Sequence, residues 1–327
     1  DLRIIKFLAE RLEKYMPETK NYRPTEAAKE FERYTLNELD FIIEGKNADR
    51  FRYNFKGDKG IKIPKIYWDY STSRVLTMEF IDGVKMGDLE GMKKMGINHK
   101  ILAENCTRAC SEPILYHGFF HADPHPGNVW VLKDNIVCYL DFGMVGVITK
   151  DMRKNMLLHF RAIINKEVDL ALKYLLMMTI IDGQSNITAF KTEAENYLIS
   201  LYIDSTKRET FAKTFYKIVS SAAKHGIIFP SNTILMAKAL MTGETMCMMT
   251  HKDFDLIEDS KATIQKIYLQ DFGSKKMINS FFESLPIFID FVEKLPELCF
   301  NILQKIEKGE LNVNLNIKEG GKIKLAI

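Results

Sequence analysis

The residues His117-Gly118-Phe119-Phe120-His121-Ala122-Asp123-Pro124-His125-Pro126-Gly127-Asn128, followed by Val137-Cys138-Tyr139-Leu140-Asp141-Phe142-Gly143, carry the densest chemical signal in the chain. They spell H-x-D-x-x-x-x-N, a strand pair, then D-F-G. Phosphoryl transfer needs this set of groups: a carboxylate to accept or orient the proton of the nucleophile, and hard oxygen ligands for Mg²⁺. Asp123 is the expected carboxylate, and Asn128 and Asp141 are the expected metal ligands. Mg²⁺ takes oxygen donors, so an amide oxygen and a carboxylate suit it where His or Cys would not. His121 joins the catalytic set by bracing the loop backbone. Gly143 is expected to let the chain turn sharply after the metal ligand.

Two rival readings are weaker. His117, His121 and His125 recur at a spacing of four, which invites a zinc site. Two prolines and Gly127 break the helix that would align the three rings, and no cysteine joins them. A second set, His251-Lys252-Asp253 and Asp271-Phe272-Gly273, repeats the gap between the aspartates. The position five beyond Asp253 is Glu258 rather than Asn, and no Pro/Gly-rich loop lies between. That set reads as coincidence on helix surfaces.

The flanking sequence supplies the architecture. Val129–Leu132 and Ile136–Leu140 read as strands turned by Lys133-Asp134-Asn135. Upstream, Asp1–Tyr15 reads as a helix, Pro17 and Pro24 break the chain, and a second helix runs from Thr25 to Arg52 with Thr25 as its N-cap. Ile61–Tyr67 and Arg74–Ile81 are rich in β-branched and aromatic residues and read as strands joined by a hairpin turn over Asp69–Ser73. From Gly83 the chain turns helical, and after Thr149 apolar residues recur at three and four, as in Leu157, Leu158, Ala162 and Ile163. Leu311, Val313, Leu315 and Ile317 alternate into a terminal hairpin. The fold class is therefore α+β. A partial strand-containing lobe covers 1–81 with a hinge at 78–83. A helical lobe covers 82–310 and holds the loop 117–128 and the triplet 141–143, and a hairpin-like tail covers 311–327.

Composition sets limits. Of 327 residues, 46% are apolar and 27% charged, which fits a globular chain and not a disordered one. The net charge of +3 gives no global basic field, so nucleic acid is not expected as a partner. The most apolar segment of the tail, Phe281–Leu303, is interrupted by Glu283, Asp290, Glu293, Lys294 and Glu297, so no spanning helix is expected. Ser280–Ile306 is read as core, with peripheral membrane contact as the alternative. Five cysteines without a C-x-x-C pair imply reduced thiols in a reducing compartment and a protein that is not secreted. Cys106 and Cys110 are expected in the core, as are Met246, Met248 and Met249. The chain starts at Asp1 without a targeting segment and reads as a fragment.

Two further segments bear on nucleotide binding. Asp40 and Glu44, four apart, are expected to share a helix face, and one of them is a candidate partner for a phosphate-binding Lys. Val75-Leu76-Thr77-Met78-Glu79-Phe80-Ile81-Asp82-Gly83 reads as the strand entering an inter-lobe hinge. Backbone groups at Glu79 and Ile81 are placed to bond an adenine edge, with Met78 at the back of the pocket.

These residues together resemble the UbiB/aarF-domain family of atypical kinases, which has a protein-kinase-like two-lobe fold and is associated with ubiquinone biosynthesis and lipid homeostasis. The matching residues are Glu38-Leu39-Asp40-Phe41 with Glu44 and Asn47, the segment Val75–Phe80 with Gly83, and Gly118–Asn128 completed by Asp141-Phe142-Gly143-Met144-Val145-Gly146. The match runs from Asp1 to about Thr149 and weakens through the helical half. The resemblance implies ATP or ADP with Mg²⁺ as cofactors, Asp123 as catalytic carboxylate, and Asn128 and Asp141 as metal ligands. It implies Glu44 as partner of the nucleotide-binding Lys, and Glu38 with Asp40 as the family's E-x-D pair near the pocket. The K-x-G-Q extension, the Ala-rich nucleotide loop and the strand Lys of the family would lie upstream of Asp1.

No A-P-E follows Gly143, and Thr149 opens a helix six residues on, which leaves no platform for a peptide substrate. The expected function is an ATP/Mg-dependent atypical kinase or ATPase acting on a small, lipid or quinone-like molecule. The expected location is the cytoplasmic face of a prokaryotic membrane or the matrix side of a mitochondrion or plastid. Alternatives are a small-molecule phosphotransferase resembling aminoglycoside and choline kinases, and a non-catalytic nucleotide-gated scaffold with a lipid-binding helical lobe. Residues 1–327 alone are expected to be inactive.

Overall fold

Pro24 fixes the first turn of a helix, because its φ is preset and its missing N–H is not needed there. In the computed structural model of the protein, α1 (Leu2–Tyr15) is followed by α2 (Pro24–Glu38), and Arg23 before it takes a φ of 47°. Thr25 therefore lies inside α2 and does not cap it. The expected continuous helix to Arg52 is also broken. The chain restarts at Asp40, whose carboxylate accepts the Ile42 amide at 3.0 Å and caps α3 (Phe41–Asn54). A carboxylate satisfies an orphan amide there and faces the positive end of the helix dipole. The structure describes residues 2–16, 19, 23–181, 185–203 and 210–272, and beyond these only 285, 289, 293–296, 300–304, 306–307, 313–315 and 323–325.

The apolar runs at 61–67 and 74–81 meet, though not as two full strands. Only β1 (Ile61–Lys62) is regular. Beyond it the runs join through single bridges, Ile66 to Met78 and Thr72 to Val75, with the Glu79 amide donating to the Lys65 carbonyl at 2.8 Å. Pro64 lacks the N–H a ladder needs, and a 3₁₀ turn at Trp68–Tyr70 precedes a two-residue turn at Ser73-Arg74, where Thr72 and Val75 exchange backbone hydrogen bonds.

β1 instead pairs in parallel with a later strand. β2 (Val84–Lys85), α4 (Leu89–Lys94) and α5 (His99–Glu112) come next, then β3 (Phe119–His121), β4 (Val129–Leu132), β5 (Ile136–Tyr139) and β6 (Val145–Val147). The main sheet runs β1-β5-β4-β2, and β3 pairs antiparallel with β6 in a second, two-stranded sheet. The β4–β5 hairpin lies where the sequence places it. Asp134 and Asn135 take left-handed φ of 61° and 63°, a conformation their short polar side chains tolerate. Asn135 then docks on α5, accepting the Asn98 amide at 2.6 Å. Gly118, with φ of 63°, ends a π-helical turn at Pro113–His117 and releases the chain into β3. The sequence reading resolved neither β3 nor β6, since each is three residues and every β3 residue is buried.

The helical remainder comprises α6 (Lys150–Ile164), α7 (Val168–Leu176), α8 (Ile187–Ile203), α9 (Phe211–Ala222), α10 (Ser231–Thr250) and α11 (Leu256–Phe272). α10 packs against α5 and α9. Cys106 and Cys247 are buried, and burial pushes the Cys110 thiol up to about 12. Met246 is buried as expected, whereas Met248 and Met249 are exposed. The second D-F-G-like set is split between the turn at Asp253 and the end of α11, and Gly273 lies outside the described residues.

Residues 1–267 and 268–327 form two separate units. In the second, β7 (Val313–Leu315) pairs antiparallel with β8 (Ile323–Leu325). Much of Ser280–Ile306, including Phe281 and Phe282, lies outside the described residues. Among the described residues of this segment, Ile289, Leu295, Phe300, Ile302, Leu303 and Ile306 are exposed. Among the described residues no helix is long and apolar enough to cross a membrane.

Candidate active site

β3 carries His121 into an aromatic cluster. Its ring lies 5.3 Å from Tyr139 and 6.1 Å from Phe142, with Phe51 beyond. Burial pushes the imidazole down to about 4, against the raising pull of Asp141 and Asp123, so the ring is neutral at pH 7. Its Nδ1 accepts the Asp123 amide at 3.2 Å. His121 therefore braces the loop from the core side.

The loop beyond it is held by its own backbone. The Ala122 amide donates to Met144, His125 to the Asp123 carbonyl, and Asn128 to the His125 carbonyl. The His125 ring accepts the Gly127 amide at 3.1 Å. The Leu140 amide, at the far end of the hairpin, donates to the Asn128 carbonyl at 3.0 Å. These ties bring the two expected metal ligands together: Asn128 Nδ2 donates to Asp141 Oδ2 at 2.7 Å. Asp141 Oδ1 accepts the Gly143 amide at 2.9 Å. Gly143 does not take a left-handed φ. The chain nevertheless bends at Gly143 and Met144, as expected after the metal ligand, and the Gly143 amide also orients the carboxylate.

The donor set fits Mg²⁺. One amide and one carboxylate meet at a partly exposed position, and Mg²⁺ is commonly held by one or two protein oxygens, with phosphate and water completing the shell. The zinc reading does not fit. His121 is buried, His117 packs edge-on against Phe55 and Tyr116, and His125 is engaged with Gly127. Among the described residues no group of three or more His, Cys, Asp or Glu is arranged to hold a metal.

α3 grips the residue after Asp141. Glu44 Oε1 accepts the Phe142 amide at 3.1 Å, and Asn47 Nδ2 donates to the Phe142 carbonyl at 2.9 Å. Asp40, one turn before Glu44, is the N-cap of α3, and its carboxylate is engaged by the Ile42 amide. The Glu38 side chain lies outside the described residues.

At the hinge, Met78 is half-buried and bridges to Ile66, and Ile81 is buried. The Glu79 amide is engaged by Lys65, so it is not a free group for adenine. The Glu79 carboxylate meets Lys62 at 2.6 Å. Partial burial works to raise it, but the Lys62 and Lys65 contacts bring it below the usual carboxylate range.

Sequence reading missed one neighbour of the loop. Lys238 of α10 places its Nζ 3.1 Å from Asp123 Oδ2. No motif surrounds Lys238, and only the packing of α10 reveals it.

The ABC1 atypical kinase-like domain profile matches residues 1–175, which include the loop and the D-F-G triplet. The chloroplastic protein Activity of bc1 complex kinase 7 of Arabidopsis thaliana is 29% identical over 82% of this chain and 38% of its own length. Probable protein kinase UbiB of Vibrio vulnificus is 26% identical over 93% of this chain and 57% of its own length. The chain thus spans about half or less of these relatives. A Mycobacterium tuberculosis protein solved in complex with erythromycin aligns with a TM-score of 0.47 and 17% identity, covering 72% of this chain and 60% of that one.

Proposed function

The chain belongs to the ABC1 atypical kinase-like domain family, and from that premise we propose that it carries the catalytic loop and metal ligands of a Mg²⁺-dependent phosphotransferase or ATPase. The observation that carries this reading is the meeting of Asn128 and Asp141 at 2.7 Å on the loop that bears Asp123. Asp123 accepts or orients the proton of the attacking hydroxyl or water. Asn128 and Asp141 hold Mg²⁺, which when bound neutralises nucleotide phosphate charge. Glu44 and Asn47 fix the backbone beside Asp141.

The acceptor is small or lipid-like, or water. After Gly143 the chain makes only β6 before Thr149 caps α6, accepting the Met152 amide at 3.2 Å. That connection is too short to support an extended peptide. A quinone-like lipid is the acceptor class that the UbiB resemblance favours, and the four described cysteines, all free thiols, fit a reducing compartment.

The test is Mg-ATP turnover by the natural gene product containing these residues, with and without anionic vesicles bearing a quinone-like lipid. Asp123→Asn is expected to lower turnover about 10²–10⁴-fold. Equal turnover in variant and wild type removes Asp123 from the chemistry.

A further inference from the structure

Lys238 and Asp123 stand 115 positions apart in sequence, yet their charged atoms are 3.1 Å apart. Resting on the phosphotransfer reading above, we infer that Lys238 is a positioning residue for Asp123, which makes α10 part of the active site. The backbone at Lys238 is well anchored. Met236, Ala237, Ala239 and Leu240 around it are buried, and Ala239 lines a small cavity with His121, Pro124 and Tyr139 beneath the loop. Only the lysine and aspartate side chains must be ordered to make the contact.

The pair does not serve to hold the fold. Both side chains keep more than a third of their surface in solvent, at 43% and 38%, and ion pairs so exposed contribute little to stability. What distinguishes this one is its place. His121 fixes the loop backbone through the Asp123 amide, and Lys238 fixes the carboxylate at the other end of the same residue. A general base works only when aimed at its proton, so restricting the carboxylate raises the productive fraction.

The experiment compares Lys238→Met, Lys238→Arg, Asp123→Asn and the double variant Lys238→Met/Asp123→Asn in the natural gene product. Turnover, nucleotide KM and melting temperature are measured for each. Lys238→Met is expected to lower kcat about tenfold, part of the 10²–10⁴-fold attributed to a general base, with KM and melting temperature unchanged. Lys238→Arg restores most of the rate. The double variant is no slower than Asp123→Asn alone, because the two residues act as a unit. Wild-type turnover with an unaffected kcat in Lys238→Met overturns the role of Lys238 and leaves the phosphotransfer reading standing. So does a further loss in the double variant, or a lowered melting temperature that Arg does not rescue. A wild type that neither binds nor turns over Mg-nucleotide overturns the phosphotransfer reading and the inference with it.

Discussion

Phe142 shows how single residues build the site. Its ring is fully buried, 5.5 Å from Phe51, and both polar groups of its backbone are engaged by α3. Holding Phe142 also holds Asp141 one bond away, where a small shift would part the carboxylate from Asn128. Asn47→Ala removes the donor to a buried residue's carbonyl, so we expect a loss of about 1 kcal/mol in urea unfolding. We also expect Mg-nucleotide affinity to weaken several-fold, read by titration calorimetry. Unchanged values in both would contradict the grip assigned to α3. Asn47 was visible in the sequence only through family resemblance, because a hydrogen bond spanning 95 positions has no local signature.

At the level of elements, short-range chemistry decided what was legible. The β4–β5 hairpin could be read because alternation and a turn signal lie within one short span. The division of α2 from α3 was missed because Asp40 was read as a helix-face residue, while its carboxylate caps the next helix. The strands around Ile66 and Met78 were overestimated because Pro64 interrupts the ladder that their composition favours. α9 and α10 meet through Glu244, whose buried carboxylate accepts the Ala212 amide at 3.0 Å. Burial raises Glu244 to about 7, overcoming the hydrogen bonds from Thr210 and Ala212. The native state then binds this proton more tightly than the unfolded chain does. Its stabilising contribution is complete below about pH 4.5 and is lost as pH rises through about 7. Glu244→Gln keeps the acceptor oxygen without the charge. It should raise stability at pH 8 by up to about 3 kcal/mol and remove this part of the decline between pH 4.5 and 7 in thermal melts. A variant with the wild-type pH slope would refute the assignment.

Across the whole molecule, the site draws on parts of unequal visibility. The loop and the D-F-G triplet are contiguous motifs within the 1–175 match, so spacing alone exposed Asp123, Asn128 and Asp141. Lys238 lies beyond that match on α10, and only folding brings it to Asp123. The hairpin that joins Asn128 to Asp141 converts a sequence gap into a 2.7 Å contact, and the metal-binding proposal rests on that contact. Thermal stabilisation by Mg-nucleotide, compared among wild type, Asp123→Asn and Asp141→Asn of the natural gene product, therefore separates binding from chemistry. Wild type and Asp123→Asn are predicted to be stabilised alike, and Asp141→Asn to lose the Mg²⁺-dependent part, because an amide cannot neutralise the cation. Equal Mg²⁺-dependent stabilisation of Asp141→Asn and wild type would contradict the assignment of this site.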